Sequence, residues 1–157
     1  MRSIISARPS FPQSRGFSLI EGVVLVSLVG IVAAFAVPRY TRLANSARAS
    51  EIVALGANLR TAAELAHAQY VESGARAKSV TIQGKLITVK NGYPDASSTG
   101  IGHALFETEG FAAETAEDSV IFLNADAPSA KTCSVTYHAA PTPTAAPTVT
   151  NVETAGC

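Results

Sequence analysis

Between Gly16 and Pro38 lie 21 residues, Phe17 to Val37 (FSLIEGVVLVSLVGIVAAFAV), that carry one ionisable side chain, Glu21. As a helix rising about 1.5 Å per residue, this run reaches about 31 Å, enough to cross the hydrocarbon core of a bilayer. The run reads as a membrane segment. Glu21 is the anomaly in it, because a carboxylate placed in hydrocarbon costs on the order of a few kcal/mol and is expected to have a partner.

The sequence on either side restricts what this segment is for. Residues 1–16, MRSIISARPSFPQSRG, are basic and free of acids, with Pro9 and Pro12 opposing a helix, so they read as a targeting leader that stands outside the fold. An ordinary cleavable export signal is the alternative, with Ala33, Ala34 and Ala36 as its small-residue site. The apolar run argues against that: it is longer than the about 7 to 15 residues of a signal core and continues into helix-forming sequence across a single proline. The whole chain has 12 Lys+Arg against 12 Asp+Glu. Arg2, Arg8 and Arg15 all lie in the leader, so without residues 1–16 the balance is nine against twelve, a net charge of −3. No block of Lys and Arg resembles a nucleic-acid footprint. The one basic cluster after the run, Arg39, Arg42 and Arg48, suits lipid head groups equally well. Because Arg39 and Arg42 partly offset the leader's arginines, the distribution of positive charge does not by itself orient the span. The remaining length suits one compact domain. Its two cysteines, Cys133 and Cys157, fit one disulfide made outside the cytoplasm, the alternative being two reduced buried thiols.

The residues Gly16, Phe17, Ser18, Leu19, Ile20 and Glu21, behind a basic leader, resemble the prepilin peptidase recognition site of type IV pilins and type II secretion pseudopilins. Counted from Phe17, that family's mid-span glycine falls on Gly30, its helix-kinking proline on Pro38 and the aromatic after it on Tyr40. Gly22 departs from the pattern, where an aliphatic residue is usual, and weakens the helix locally by about 1 kcal/mol relative to Ala. The resemblance implies that a membrane aspartyl peptidase cuts between Gly16 and Phe17 and methylates the new Phe17 amine. It also implies a partner for Glu21. An α-amino group titrates near about pH 8, so in an apolar filament core the carboxylate can pair with the Phe17 amine of a neighbouring subunit and fix the stagger between subunits. Gly30 and Pro38 also have readings in their own chemistry: Gly30 permits close helix packing, and Pro38 removes the bond its N–H would make to the Ala34 carbonyl, so a bend is expected there.

From Arg39 the helical pattern continues, giving a helix from Phe17 to about Ser73 with Gly74 as its C-cap. Ile52, Leu55, Leu59, Ala62, Ala66 and Tyr70 recur at three- and four-residue spacing and form a stripe to pack on a soluble domain; Arg60, Glu64 and His67 fall on another side. The expected domains are thus the leader 1–16, a core helix 17–38, its amphipathic continuation 39–73 and an antiparallel β domain 74–157, an α+β fold. Within that domain, Ser79 to Lys90 reads as a hairpin turning at Gln83-Gly84, and Asn91 to Asp95 as a turn cluster continued by Ser97 to Gly102. A short helix is expected over His103 to Thr108. Strands are expected at Ser119 to Asn124, Thr132 to Ala139 and Thr148 to Glu153, with Pro141 to Pro147 (PTPTAAP) as an exposed loop. NGYPDASSTGI at Asn91 to Ile101, CSVTY at Cys133 to Tyr137 and the terminal Gly156-Cys157 look like the MSHA (mannose-sensitive haemagglutinin) type pilins, and the cysteine placement agrees with the pilin D-region.

No catalytic constellation stands out: His67, His103 and His138 are widely separated, and no nucleophile-elbow or phosphate-loop glycine pattern occurs. Glu107, Glu109, Glu114, Glu117 and Asp118 lack the alternating oxygen-ligand spacing of a calcium loop and read as a solvated surface. The expectation is therefore a non-enzymatic structural subunit without metal or cofactor. As the resemblance implies, it would be a single-pass inner-membrane precursor, with lipid, prepilin peptidase and an assembly machine as partners. It would then join identical subunits in an extracellular pilus that serves adhesion. A secretion pseudopilin or minor pilin is the second reading, and a singly anchored binding module the third.

Overall fold

The computed structural model describes residues 17–106 and 108–157; the leader, Gly16 included, and Glu107 lie outside the described residues. Two compact units divide between Tyr40 and Thr41. One helix, α1 (Leu19–Glu72), contributes its first part to the first unit and its remainder to the second, with Pro38 inside it. The second unit adds β1 (Ser79–Ile82), β2 (Lys85–Lys90), β3 (Tyr93–Pro94), α2 (Ile101–Ala104), β4 (Phe111–Thr115), β5 (Ser119–Asn124), a 3-10 turn (Ala130–Thr132), β6 (Ser134–His138) and β7 (Thr148–Glu153). The architecture is α+β and type IV pilin-like: a long N-terminal apolar helix whose later turns pack on antiparallel sheets.

The periodicity of α1 after Thr41 is satisfied by burial. Ile52, Leu55, Leu59, Ala62 and Ala66 are all buried, joined by Gly56 and Ala63, and they share one core with Ile87, Val120, Phe122, Val135 and Tyr137. The helix stops in a Schellman motif, with the Gly74 N–H donating to Val71 O at 3.1 Å and the Ala75 N–H to Tyr70 O at 3.0 Å. Fully burying side chains the size of Ile52 and Leu59 stabilises the unit by about 1.5–3 kcal/mol each.

The β residues form two sheets rather than one: β1-β2-β3 and β4-β5-β6-β7, antiparallel throughout. The β1–β2 and β2–β3 hairpins each turn on two residues, Gln83-Gly84 and Asn91-Gly92, all with positive φ, which is the primed turn geometry that matches strand twist. Three details differ from the sequence reading. The turn cluster after Asn91 contains a strand, β3, in which Pro94 is tolerated because β3 is a sheet edge. The short helix lies at Ile101–Ala104, ahead of the His103 to Thr108 expected from sequence. Its start is set by Ile101 N–H to Asp95 O (3.0 Å) and Gly102 N–H to Ser97 O (3.1 Å), and its burial by Ile101 and Ala104. Finally, the acidic stretch stays exposed but contains a strand that was not expected, the edge strand β4 at Phe111–Thr115: pairing with β5 from Phe111↔Asn124 to Thr115↔Val120 outweighs the weak β propensity of Ala and Glu.

β6 is the central strand between β5 and β7 and is buried along most of its length, Ser134 and Thr136 included. Its Tyr137 is fully buried, and its hydroxyl donates to Pro94 O at 2.8 Å, tying one sheet to the other. Burial, then the nearby Asp95 carboxylate and Tyr93, push the Tyr137 phenol well above its ordinary value of 10.0. The folded state therefore holds the neutral phenol while the unfolded chain ionises. This contribution is complete below about pH 10 and is lost as pH rises beyond it. Spectrophotometric titration is expected to show Tyr137 silent until alkaline unfolding. Tyr137→Phe is expected to lower unfolding free energy by about 1–3 kcal/mol through the orphaned Pro94 carbonyl, and to move the alkaline transition to higher pH.

Candidate assembly site

The first turns of α1 consist almost wholly of apolar side chains that stay exposed among the described residues. Phe17 is 70% exposed and Phe35 is 73% exposed, and every large aliphatic between them is more than half exposed. The helix is long and apolar enough to cross a membrane. Such a surface on all sides of a helix requires lipid or other helices around it. Its polar groups are satisfied within the helix where they can be: the Ser27 hydroxyl donates to Val23 O at 2.8 Å, and the Gly22 N–H to Ser18 O at 3.1 Å.

Glu21 sits in the first turn of α1, where unpaired backbone N–H groups and the positive end of the helix dipole favour a carboxylate. Its side chain is exposed. Phe17 and Ser18 precede the helix, so the two assembly residues named from sequence lie at its very start, Phe17 before it and Glu21 inside it. At Gly22 and Gly30 an added Cβ would meet no atom within 4 Å. Both glycines therefore leave open helix surface, and among the described residues neither is required by packing.

The second unit carries the other residues named from sequence. Cys133 and Cys157 form a disulfide with Cα atoms 4.9 Å apart, and both are buried. Cys133 immediately precedes β6 and Cys157 follows β7, so the bridge closes the open end of the β6–β7 hairpin, opposite the loop joining the strands. The Gly156 N–H donates to Thr132 O at 2.9 Å, and the Ser129 N–H donates to Gly156 O at 3.1 Å. Arg48 on α1 adds a bond from Nη1 to Cys157 O at 3.2 Å. A Cβ on Gly156 would collide with Thr132 Oγ1 and with Ser129, so this segment admits no side chain there.

Each histidine bonds within the second unit, one to a turn and two to strands. His67, which lies off the apolar stripe, is half-buried: its ring stacks on Tyr93 with centroids 4.1 Å apart and planes 6° apart. Its Nδ1 lies 2.8 Å from Gly92 O, and because a carbonyl only accepts, Nδ1 carries the proton. Burial, then the Glu64 carboxylate, raises the Tyr93 phenol above its ordinary value. His103 Nδ1 meets Leu86 O at 2.9 Å, and His138 Nε2 meets Thr150 Oγ1 at 3.0 Å. Glu51, Glu109 and Asp126 border one open cleft of about 550 Å³, in which Asn124 Nδ2 donates to Glu51 Oε2 at 3.1 Å. Among the described residues no three His, Cys, Asp or Glu side chains converge as a metal cage. The His67–Tyr93 stack and the Tyr137–Pro94 bond had no signal in spacing, since each joins residues more than twenty apart.

Similar proteins include the type IV major fimbrial protein FimA of Dichelobacter nodosus strain VCS1703A and that of Dichelobacter nodosus. Each is 36% identical over 94 residues, covering 55% of this chain and 57% of the relative. The similarity supports the type IV pilin family. The chain matches little more than half the length of these relatives. No family model matches it, and no solved structure does.

Proposed function

We propose that the chain is a structural pilin, the repeating subunit of a type IV, MSHA-like pilus that serves attachment to surfaces. The observation that carries this reading is the helix from Leu19 to Val37, apolar on every side, exposed among the described residues and interrupted by one carboxylate near its start. The segment first anchors a precursor in lipid. After a prepilin peptidase releases the leader between Gly16 and Phe17 and methylates the new amine, the segment is extracted and packed against identical segments in a filament core. There Glu21 pairs with the Phe17 amine of a neighbour. The pairing offsets the burial cost of both charges and selects one stagger, since a one-residue slip leaves both unpaired. Gly30 offers a side without Cβ for close helix approach, and Pro38 a site for local melting. The compact disulfide-closed β unit is then left on the outside to meet surfaces.

Incubation of membranes containing the chain with prepilin peptidase tests the first step. Loss of 16 residues and a methylated Phe17 N-terminus are expected by mass spectrometry. A chain that keeps its leader supports instead a singly anchored module whose helix stays in the bilayer. The disulfide at Cys133 and Cys157 favours a pilin over the commonest secretion pseudopilin; a major pilin also dominates sheared filaments by copy number.

A further inference from the structure

The two cysteines of the bridge stand in unlike surroundings, and the difference bears on how the bridge is made. Cys133 is fully buried, and its backbone is held on both sides: its N–H donates to Ala130 O at 3.1 Å, and its carbonyl accepts from the Asn124 N–H at 3.0 Å. It leads directly into β6, the central strand, where Val135 and Tyr137 are fully buried as well. Cys157 is buried too, but it lies in residues 154–157, which belong to no strand or helix and follow β7, an edge strand that is mostly exposed. Thr154 and Ala155 are exposed.

A small set of bonds seats that segment. The Gly156 N–H donates to Thr132 O at 2.9 Å, and Gly156 O accepts from the Ser129 N–H at 3.1 Å. Arg48 Nη1 donates to Cys157 O at 3.2 Å. The walls of the seat are tied to each other by Thr132 Oγ1 donating to Ser129 Oγ at 3.0 Å, and they close so tightly that a Cβ on Gly156 would collide with both residues. A segment held by a few bonds beside a sheet edge opens at a lower free energy than a central strand. Lifting residues 154–157 breaks those bonds and carries Cys157 into solvent, whereas Cys133 moves only if the end of the β5–β6 ladder, at Leu123↔Ser134, comes apart.

We propose that the bridge forms in a fixed order: Cys157 is the entry thiol that meets the oxidant, Cys133 is the resolving thiol, and Gly156 is the positioning residue whose seat brings the two together. The oxidant is itself a disulfide, small or protein-borne. The Cys157 thiolate attacks one of its sulfurs and forms a mixed disulfide, and the other sulfur leaves as a thiolate. When Gly156 enters its seat, Cys157 Sγ comes against Cys133, whose thiolate attacks it. The Cys133–Cys157 bond forms, the bond to the remaining half of the oxidant breaks, and that half leaves as the second thiolate. The two cysteine protons pass through water to the two departing thiolates, so the oxidant disulfide is reduced by the electron pair that the cysteines lose. This order rests on the bridge and its seat alone and stands whether or not the chain polymerises.

The test exposes the reduced full chain to glutathione disulfide under native conditions, quenches it by alkylation at intervals and reads each cysteine peptide by mass spectrometry. Wild-type protein is expected to show a transient glutathione adduct on Cys157, none on Cys133, and then the bridge. Cys133→Ser is expected to accumulate its adduct at Cys157 about tenfold faster than Cys157→Ser accumulates one at Cys133. In urea the two rates are expected to converge, because the difference comes from the fold. Gly156→Ala is expected to gain the Cys157 adduct at least as fast as wild type and to close the bridge about tenfold more slowly, a stalled intermediate that a loss of stability alone does not produce. Equal native rates, faster reaction at Cys133, a difference that persists in urea, or a Gly156→Ala chain that closes its bridge as fast as wild type overturns the proposal.

Discussion

Glu21→Gln is expected to reduce the amount of this chain in sheared surface filaments by about a hundredfold while leaving its abundance in the membrane unchanged. The amide keeps the size and shape of the side chain and removes the charge, so under the proposed pairing what is lost is the compensation of a neighbour's Phe17 amine. Stranding one partner of a buried ion pair costs about 3–5 kcal/mol, and about 1.4 kcal/mol is a factor of ten in association. Glu21→Asp retains the charge with a shorter reach and is expected to fall between the two. The second unit begins at Thr41, so its thermal unfolding is expected to be identical in all three proteins. Quantitative immunoblotting of sheared and membrane fractions measures the effect, and calorimetry of the residue 41–157 unit within the full chain supplies the control.

Cys133→Ser together with Cys157→Ser is expected to lower the unfolding free energy of the second unit by about 3 kcal/mol, because the bridge closes a loop with a sequence separation of 24. For a unit of this size that corresponds to a fall in melting temperature of about 10 °C. The loss is expected first at the open end of the β6–β7 hairpin, where Ser134↔Glu153 is the last pair before the bridge and a register irregularity between Ser134 and Thr136 already interrupts the ladder. Amide exchange is therefore expected to rise in β7 and at Gly156 before it rises in β5. Wild-type protein melted in reductant is expected to reproduce the double variant, and a melting temperature insensitive to reductant contradicts the assignment.

The parts of this fold that are local in sequence could be read from it. The stripe Ile52, Leu55, Leu59, Ala62 and Ala66 is a 3.6-residue period and became the buried face of α1, and Gln83-Gly84 is a two-residue turn whose chemistry is independent of the rest of the chain. β7 was legible for the same reason: its β-branched run Thr148–Glu153 follows directly on a proline-rich loop. What escaped were features decided at a distance. β4 is a strand because β5 offers it a partner, not because Phe-Ala-Ala-Glu-Thr prefers to be one. His67 is half-buried because Tyr93, brought back by the Asn91-Gly92 turn, stacks on it. β6 alternates in sequence yet is buried on both faces, which alternation alone did not announce. At the candidate site, Glu21 stood out as the one acid in an apolar run, and the partner proposed for it would belong to a second subunit, which no single chain displays.

The most direct measurement is the structure of the filament itself, by cryo-electron microscopy of fibres sheared from the cells that make this chain. The account predicts a core of parallel helices beginning at a methylated Phe17, with no leader, and with the Glu21 carboxylate within hydrogen-bonding distance, about 3 Å, of the Phe17 nitrogen of a neighbouring subunit. Fibres whose core is made of another chain, or in which Glu21 faces solvent or pairs elsewhere, would contradict it.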